Sequence, residues 1–188
     1  MESTLKNMVL TLLIITAVGS AAVGGVYMLT QEPIRQSQIN KVNDAIKEVM
    51  PEFDNDPSAE VMPKEIDGES VKVYPARSGD QLLGYAIESF TNKGYNGEIR
   101  LMVGFLSDGT INKVSVIQQN ETPGLGDKIL RSKSNFSLQY DGKNPENFNL
   151  AMKKDGGEVD AITASTVSSR AFSDAVGRAH ELFKTLQN

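Results

Sequence analysis

Residues 160–186, DAITASTVSSRAFSDAVGRAHELFKTL, combine the end of a short apolar strand, a turn rich in hydroxyl groups and a long amphipathic segment. From residue 167 onward the apolar side chains recur at steps of three and four, which predicts a helix with one apolar face that ends near residue 186. Most of its charged residues fall on the opposite face. The segment therefore predicts a C-terminal helix that packs on a core and begins at a cluster of serines and threonines.

The hydroxyl cluster at the start of this helix has two interpretations. Ser165, Thr166 or Ser168 could cap the helix, because a hydroxyl oxygen there accepts a hydrogen bond from a free N–H of the first turn. Alternatively, the free N–H groups and the helix dipole could bind a phosphate group. The local pattern is more typical of capping, so the choice depends on the rest of the chain.

Upstream of the helix, the pattern predicts an antiparallel sheet. Strand-like segments lie at residues 71–74, 82–90, 98–106 and 111–118, and a further strand pair is predicted at 149–154 and 158–162. Asp108-Gly109 predicts a hairpin turn, since this dipeptide supplies the positive φ that such turns need. Because short turns join antiparallel neighbours, the predicted class is α+β, with helices packed on an antiparallel sheet.

The composition narrows the possible functions. The 188 residues carry a net charge of −5 without a basic cluster, which argues against a nucleic-acid surface. The chain has no cysteine, which excludes disulfides, thiolate metal sites and cysteine-bound iron–sulfur clusters. His180 is the only histidine and is expected to be solvated on the C-terminal helix, so a Ser-His-Asp hydrolase is not indicated. No metal site is predicted.

The N-terminal region contains a predicted membrane helix. Residues 8–29 carry no charge, and at about 1.5 Å per residue they are long enough for a hydrocarbon core of about 30 Å. A cleaved signal peptide is the alternative, with residues 20–22 as the cleavage site, but the apolar stretch continues beyond that point. We therefore expect a retained single-pass anchor.

Pro33 is predicted to end the membrane helix. An amphipathic helix then follows and stops before Pro51, and residues 52–70 have the composition of a loop. The predicted organisation is a short tail at 1–7, a transmembrane helix at 8–30, an amphipathic helix and loop at 31–70, and a folded domain at 71–188.

A second motif, ETPGLGDK at residues 121–128, follows the last strand of the predicted hairpin. Two glycines flank one leucine, so the backbone could approach a ligand closely while a flat apolar ring lies against Leu125. An ordinary Pro-Gly turn is the alternative. No Gly-Lys-Ser/Thr follows, so the motif is not a Walker loop.

Together with KGYNGEIR at 93–100 and the 160–166 turn, this motif resembles the FMN-binding domain family in order and spacing. The single N-terminal anchor matches too. The whole chain is similar to the G subunits of Rnf ion-translocating electron-transport complexes. The C subunits of sodium-translocating NADH:quinone reductases are related but usually longer proteins, and they are kept as an alternative.

The resemblance implies an electron-transfer protein that carries FMN covalently, through a phosphoester on Thr166. A separate flavin transferase would attach the FMN and recognise a motif that includes Asp160, Thr163 and Thr166. The resemblance also indicates a cofactor-binding site near Thr166 with further residues from two segments. These residues are Glu121, Thr122, Gly124, Leu125 and Gly126 from the first motif, and Thr163, Ala164 and Ser165 from the turn.

The same resemblance implies a place in the cell and a set of partners. The chain would sit in the inner (plasma) membrane beside the other members of a complex that couples ferredoxin and NAD redox chemistry to ion translocation. Its C-terminal domain would lie on the periplasmic side. The local charges point weakly the other way, because only Lys6 precedes the anchor while Arg35, Lys41 and Lys47 follow it.

One departure from the family pattern affects the modification motif. The family usually has Ser/Thr-Gly-Ala-Ser/Thr, whereas here Ala164 replaces the glycine and Ser165 replaces the alanine. A positive φ at Ala164 would cost about 1 kcal/mol or more. A cofactor-free anchored scaffold module of the same fold is therefore a further alternative.

Overall fold

The computed structural model describes residues 4–187. Its elements are two α-helices, α1 (Leu5–Val49) and α2 (Thr166–Leu186), and five strands between them. The strands are β1 (Met62–Ile66), β2 (Glu69–Ser78), β3 (Gln81–Gly94), β4 (Gly97–Leu106) and β5 (Ile111–Gln118). The chain divides into two units at residues 41 and 42, and each is described by itself.

The first unit is the N-terminal part of α1. Within α1, an 18-residue window reaches a mean hydropathy of 2.2, so by length and composition it is able to cross a membrane. None of that window is buried. The prediction that Pro33 ends this helix is wrong, because α1 continues through it to Val49. The fixed φ of proline is itself helical, and only one backbone hydrogen bond is lost there.

In the second unit, the five strands form one antiparallel sheet in the order β1-β2-β3-β4-β5. The four predicted strands are confirmed as β2 to β5, and the Asp108-Gly109 turn joins β4 to β5 with Gly109 at φ +84°. The expected loop at residues 52–70 contains the missed edge strand β1. The predicted strand pair at 149–154 and 158–162 is wrong, since only an isolated bridge between Met152 and Val159 and a short 3-10 turn occur there.

The two faces of the sheet bury different elements. On one face, the last turns of α1 pack Ile46 and Val49 against Ala86 and Met102. The other face belongs to the larger core, in which α2 covers β3 and β4. Because side chains alternate along a strand, neighbouring residues of β3 and β4 serve opposite faces. The predicted packing of the C-terminal helix on the sheet is confirmed.

The C-terminal half of α2 meets an aromatic part of the core. Phe183 stacks on Phe105 with ring centroids 4.9 Å apart, and Tyr85 meets Phe183 edge-on at 6.3 Å. His180 is 7% exposed and lies 5.9 Å from the Phe105 ring. The expectation that His180 is solvated is therefore wrong. Its position on the inner face of α2 places the ring in the core, a result of packing that the helical pattern did not show.

Candidate functional site

Three distant segments meet at Glu121, the first residue of the ETPGLGDK motif. Glu121 is 5% exposed, and its carboxylate accepts two hydrogen bonds. Oε1 receives the backbone N–H of Asn96, in the β3–β4 hairpin, at 3.0 Å. Oε2 receives the hydroxyl of Ser168, in the first turn of α2. Glu121 therefore holds the hairpin, the loop and the helix start together.

Two glycines make room for this carboxylate. A Cβ on Gly126 would lie 2.6 Å from Glu121 Oε2 and 2.7 Å from Ser168 Oγ, and a Cβ on Gly94 would lie 2.9 Å from Glu121 Oε1. A Cβ on Gly94 would also lie 2.2 Å from the Gly97 carbonyl oxygen, and one on Gly126 would lie 2.8 Å from the Glu121 Cβ, atoms that cannot simply rotate away. Both positions therefore require glycine because of close approach, and the loop lies directly against the first turn of α2.

The loop itself is a compact turn that exposes one apolar side chain. The carbonyl of Thr122 accepts the N–H groups of Leu125 at 3.1 Å and Asp127 at 3.3 Å. The Asn96 side-chain amide donates to Thr122 Oγ1 at 3.4 Å. With the turn closed in this way, Leu125 remains 42% exposed. An apolar surface therefore stands beside the start of α2.

The start of α2 is fixed without a side-chain cap. Ser165 occupies the N-cap position, but its hydroxyl makes no capping hydrogen bond in the described chain. The Ser169 hydroxyl instead donates to the Ser165 carbonyl and accepts the N–H of Ile162, both at 2.9 Å. The capping role considered for Ser165 is therefore wrong. Since the first N–H groups of a helix lack intrahelical acceptors, this end can receive an anion.

Ala164 adopts a left-handed backbone conformation with φ +63°. A left-handed alanine costs about 1–2 kcal/mol, the strain expected from the sequence at this position. The turn thus keeps a glycine-like geometry with an alanine in it. Only one other non-glycine residue in the described chain, Asp67, has a positive φ.

Burial separates the hydroxyl groups around the helix start. Ser165, Ser168 and Ser169 are buried, and the latter two use their hydroxyls in the hydrogen bonds described above. Thr166 is half-buried and Thr163 is exposed. Among the clustered hydroxyls of residues 163–169, only these two threonines are therefore open to a reagent from solution.

Asp160 lies on the surface before the turn. Its carboxylate pairs with Lys153 Nζ at 2.7 Å, and both side chains are largely exposed. Its backbone is held by the Gln139 side chain, which accepts the Asp160 N–H at 2.8 Å and donates to the Asp160 carbonyl at 3.0 Å. Asp160 is accessible to another protein, and its backbone position is fixed.

The structure thus brings the 121–126 loop and the 163–166 turn to the same end of α2, with Glu121 buried between them. Sequence reasoning missed Ser168 and Asn96 as parts of this arrangement. The sequence of the 93–100 motif gave no indication that the Asn96 N–H binds Glu121. Ser168 carried no signal beyond its membership of the hydroxyl cluster.

Comparison with known proteins identifies both the domain and the whole chain. The family model of the FMN-binding domain matches residues 94–181. The G subunit of the ion-translocating oxidoreductase complex of Aliivibrio fischeri ES114 is 34% identical, over 100% of this chain and 94% of that protein. The corresponding protein of Vibrio cholerae M66-2 is 33% identical, over 96% and 91% of the two chains, and that of Haemophilus influenzae PittEE is 35% identical, over 78% and 74%.

The chain belongs to the G-subunit family of ion-translocating oxidoreductase complexes. In this member of the G-subunit family, the matched FMN-binding domain begins at Gly94, in the β3–β4 hairpin, and ends at Glu181 in α2. It therefore contains Glu121, Leu125 and Thr166 and leaves out α1, β1 and β2. The site described above lies entirely within the matched region.

Proposed function

We propose that this chain carries FMN on Thr166 through a phosphoester and passes electrons within a membrane-bound ion-translocating oxidoreductase complex. The observation that carries the proposal is the placement of Thr166. It is the first residue of α2, it is half-buried, and it stands beside an apolar loop inside a region that matches the FMN-binding domain. The names of the relatives support the role in a complex.

The residues present fit an attached FMN at both of its ends. A phosphoester on Thr166 would lie at the N-terminus of a 21-residue helix, where the dipole and free N–H groups favour an anion. An isoalloxazine ring needs an apolar surface, and the exposed Leu125 offers one between Gly124 and Gly126. Glu121 would not contact the flavin itself, because both of its carboxylate oxygens already accept hydrogen bonds within the protein. Its role would be to hold the loop against the helix.

The attachment is a phosphoryl-group transfer that a separate flavin transferase would catalyse. The Thr166 Oγ1 would attack the flavin-side phosphorus of FAD and form a new P–O bond. The P–O bond to the bridging oxygen would break, AMP would leave with that oxygen, and the threonine proton would pass to a base of the transferase. No oxidation or reduction occurs. The exposed Asp160 and Thr163 would be recognised by the transferase, together with Thr166.

Burial favours Thr166 over the neighbouring serines as the acceptor. Ser168 and Ser169 are buried and hydrogen-bonded, and Ser165 is 7% exposed. Thr163 is the remaining accessible hydroxyl, but it lies before the left-handed Ala164 and outside α2. An ester on Thr163 would not be at the helix N-terminus, and so would lack the stabilisation that the dipole provides there.

The bound FMN supplies the redox chemistry, and the protein sets its orientation, potential and access to water. We propose that α1 anchors the chain in the inner membrane by a single span, beside the other members of the complex. The domain after α1 would lie on the periplasmic side. The complex would couple ferredoxin and NAD redox chemistry to the movement of ions. Covalent attachment suits such a site, because a dissociated flavin would be lost by dilution.

The decisive experiment is co-expression of the full chain with a flavin transferase, followed by a denaturing gel under ultraviolet light. We expect a fluorescent band whose modified peptide contains Thr166. Thr166→Ala should be dark, while Thr185→Ala, which removes a hydroxyl at the other end of α2, should remain fluorescent. A dark wild-type band beside a transferase that modifies a known substrate would contradict the proposal and favour a cofactor-free scaffold.

The role of Leu125 has its own test. Leu125→Ala should keep the fluorescent band, because the attachment point is unchanged, and should alter the emission or the reduction potential of the flavin. The matched control is Leu138→Ala. Leu138 lies outside the loop and is 40% exposed, close to the 42% of Leu125. If both variants leave the flavin unchanged, the 121–126 loop does not contact the ring.

The membrane orientation is testable because the chain has no cysteine. Single cysteines introduced at the exposed Lys6 and Asp80 positions would lie on opposite sides of a spanning α1. A membrane-impermeant thiol reagent added to spheroplasts should label Asp80→Cys and spare Lys6→Cys. Labelling in the reverse pattern would place the flavin domain in the cytoplasm.

A further inference from the structure

Asp127 is a buried carboxylate with an unused oxygen. It directly follows Gly126 and is 9% exposed. Its Oδ1 is fully enclosed and receives no hydrogen bond from residues 4–187. The contrast with Asp141 is clear, because Arg131 donates to both oxygens of that carboxylate at 2.7–3.0 Å. Asp127 has no equivalent donor at Oδ1 within the same described residues.

Asp127 belongs to the loop that packs on the first turn of α2, the helix that begins with Thr166. Its N–H closes the loop on the Thr122 carbonyl at 3.3 Å. The preceding residue, Gly126, approaches so closely to the first turn of α2 that a Cβ there would lie 2.7 Å from Ser168 Oγ. Thr166 belongs to the same turn. Asp127 Oδ1, which has no donor among the described residues, therefore lies one residue after Gly126, the point where the loop contacts the N-terminal turn of α2.

Burying a charged oxygen without a partner is costly, so a donor is expected in the functional state. The donor cannot be the phosphoester, which is an anion and would repel the carboxylate. The part of FMN that follows the phosphate is the ribityl chain, and its hydroxyl groups are hydrogen-bond donors. In an FMN attached at Thr166, the ribityl chain would lie between the phosphate and the ring, and the 121–127 loop would be the part of the protein available to hold it.

We propose that Asp127 Oδ1 accepts a hydrogen bond from a ribityl hydroxyl of the flavin attached at Thr166. The inference rests on the proposed function and extends it to a residue that sequence reasoning did not select. Asp127 thereby positions the chain between phosphate and ring. In the protein without flavin, the same carboxylate is a source of instability.

This double role predicts opposite effects of an Asp127 substitution in the two forms of the protein. Removing the carboxylate should stabilise the flavin-free form and destabilise the flavinylated form. The experiment measures the unfolding midpoint of the full chain in detergent, with and without covalent flavin, the flavin-free form being the Thr166→Ala variant. Asp127→Leu should raise the midpoint of the flavin-free form, because an unsatisfied carboxylate is removed. It should lower the midpoint of the flavinylated form, because an acceptor is lost.

Two companion variants sharpen the test. Asp127→Asn keeps a side-chain oxygen as an acceptor, so it should restore most of the midpoint that Asp127→Leu loses in the flavinylated form. Asp80→Asn removes an exposed charge in the turn between β2 and β3 and should shift both forms equally. The flavin emission spectrum should change in Asp127→Leu and be unchanged in Asp80→Asn.

The outcomes separate the two proposals. A wild-type chain that carries no flavin on Thr166 overturns both. A flavinylated chain in which Asp127→Leu shifts both forms by the same amount, in the same direction, overturns only the role of Asp127. Loss of the covalent flavin from Asp127→Leu would also overturn it, because Asp127 would then act in attachment and not in holding the ribityl chain.

Discussion

The two ends of α2 bury opposite kinds of side chain. At the N-terminal end, the buried groups are polar: the carboxylate of Glu121 and the hydroxyls of Ser168 and Ser169. At the C-terminal end, the buried groups are rings, with Phe183 stacked on Phe105. The same helix therefore closes an apolar core at one end and builds a polar, hydrogen-bonded site at the other. Apolar packing on α2 nevertheless begins directly after the polar residues, where Phe172 contacts Phe136 and Tyr140.

The polar end of α2 keeps features that cost stability. A left-handed alanine and an unsatisfied carboxylate oxygen both occur there, within the 164–166 turn and the loop that packs on it. Strain and unpaired polar groups tend to collect at functional sites and are offset by packing elsewhere. The aromatic end provides that packing. Variants at the aromatic end should therefore mainly lower stability, whereas variants at the polar end should mainly affect the flavin.

The largest effect on stability is expected at the aromatic end. Phe183→Ala removes a ring that is 1% exposed and stacked on Phe105, and should lower the free energy of unfolding by about 3–5 kcal/mol. Denaturant unfolding followed by circular dichroism measures this. Protein that still folds should carry covalent flavin. Loss of flavin from folded Phe183→Ala would show that the two ends are not independent.

The next effect is expected at Glu121. Glu121→Ala leaves the Asn96 N–H and the Ser168 hydroxyl without their acceptor, and should lower the free energy of unfolding by about 1–3 kcal/mol. The flavin of the variant should become more accessible to quenchers as the loop loosens. Glu121→Gln keeps one acceptor oxygen and serves as the control. Equal quenching in all three proteins would remove Glu121 from the organisation of the site.

A stabilising change is expected in the turn. Ala164→Gly relieves the left-handed alanine and should raise the free energy of unfolding by about 0.5–1 kcal/mol, after the entropy cost of glycine. It also introduces the glycine that the resemblance implies at this position, so the extent of flavinylation should be equal or higher. Ala161→Gly, outside the left-handed position, is the matched control and should destabilise. A lower free energy of unfolding for Ala164→Gly would show that the left-handed Ala164 does not strain the turn.

The smallest effect is a pH dependence from His180. Burial lowers the pKa of His180, and the nearby Lys184 lowers it further, while Glu181 and Glu146 oppose the change. The folded state therefore favours the neutral ring. Stability should be fully present above the unfolded pKa of about 6.5 and decline as the pH falls below it, because the unfolded chain binds the proton more readily.

His180→Phe tests this dependence. The variant keeps an aromatic ring next to Phe105 but cannot titrate, so its stability should fall less between about pH 7 and pH 5.5 than that of the natural chain. Since His180 is the only histidine, no other imidazole contributes in this range. Identical pH profiles for the two proteins would show that the ring is not held neutral. The flavin band should be unaffected.

The sequence predicted the elements whose signals are local. The four strands β2 to β5 and the helix α2 follow from apolar periodicity and from the Asp108-Gly109 turn. The edge strand β1 was missed, because MPKEI is mostly exposed and is a strand only through its pairing with β2. The strand pair predicted at 149–154 and 158–162 was wrong although it contains buried apolar residues. Its apolar residues pack into the core without forming a ladder.

In the site too, local features were predicted from the sequence and tertiary contacts were not. Its two motifs were recognised in the sequence, but their meeting point was not. The hydrogen bond between Glu121 and Ser168 joins residues 47 positions apart. No short-range pattern encodes such a contact, and capping by Ser165, Thr166 or Ser168 was the natural local interpretation of hydroxyls before a helix.

By itself, the sequence determined the apolar N-terminal segment, the antiparallel strands, the amphipathic C-terminal helix and the two motifs, since each depends on neighbours within a few residues. Only the tertiary structure decided which hydroxyls of the cluster are buried, that Ala164 is left-handed and that His180 lies in the core. Those outcomes depend on which side chains compete for the same space after α2 packs on the sheet. Burial and hydrogen-bond partners are properties of that packing, and periodicity along the chain cannot specify them.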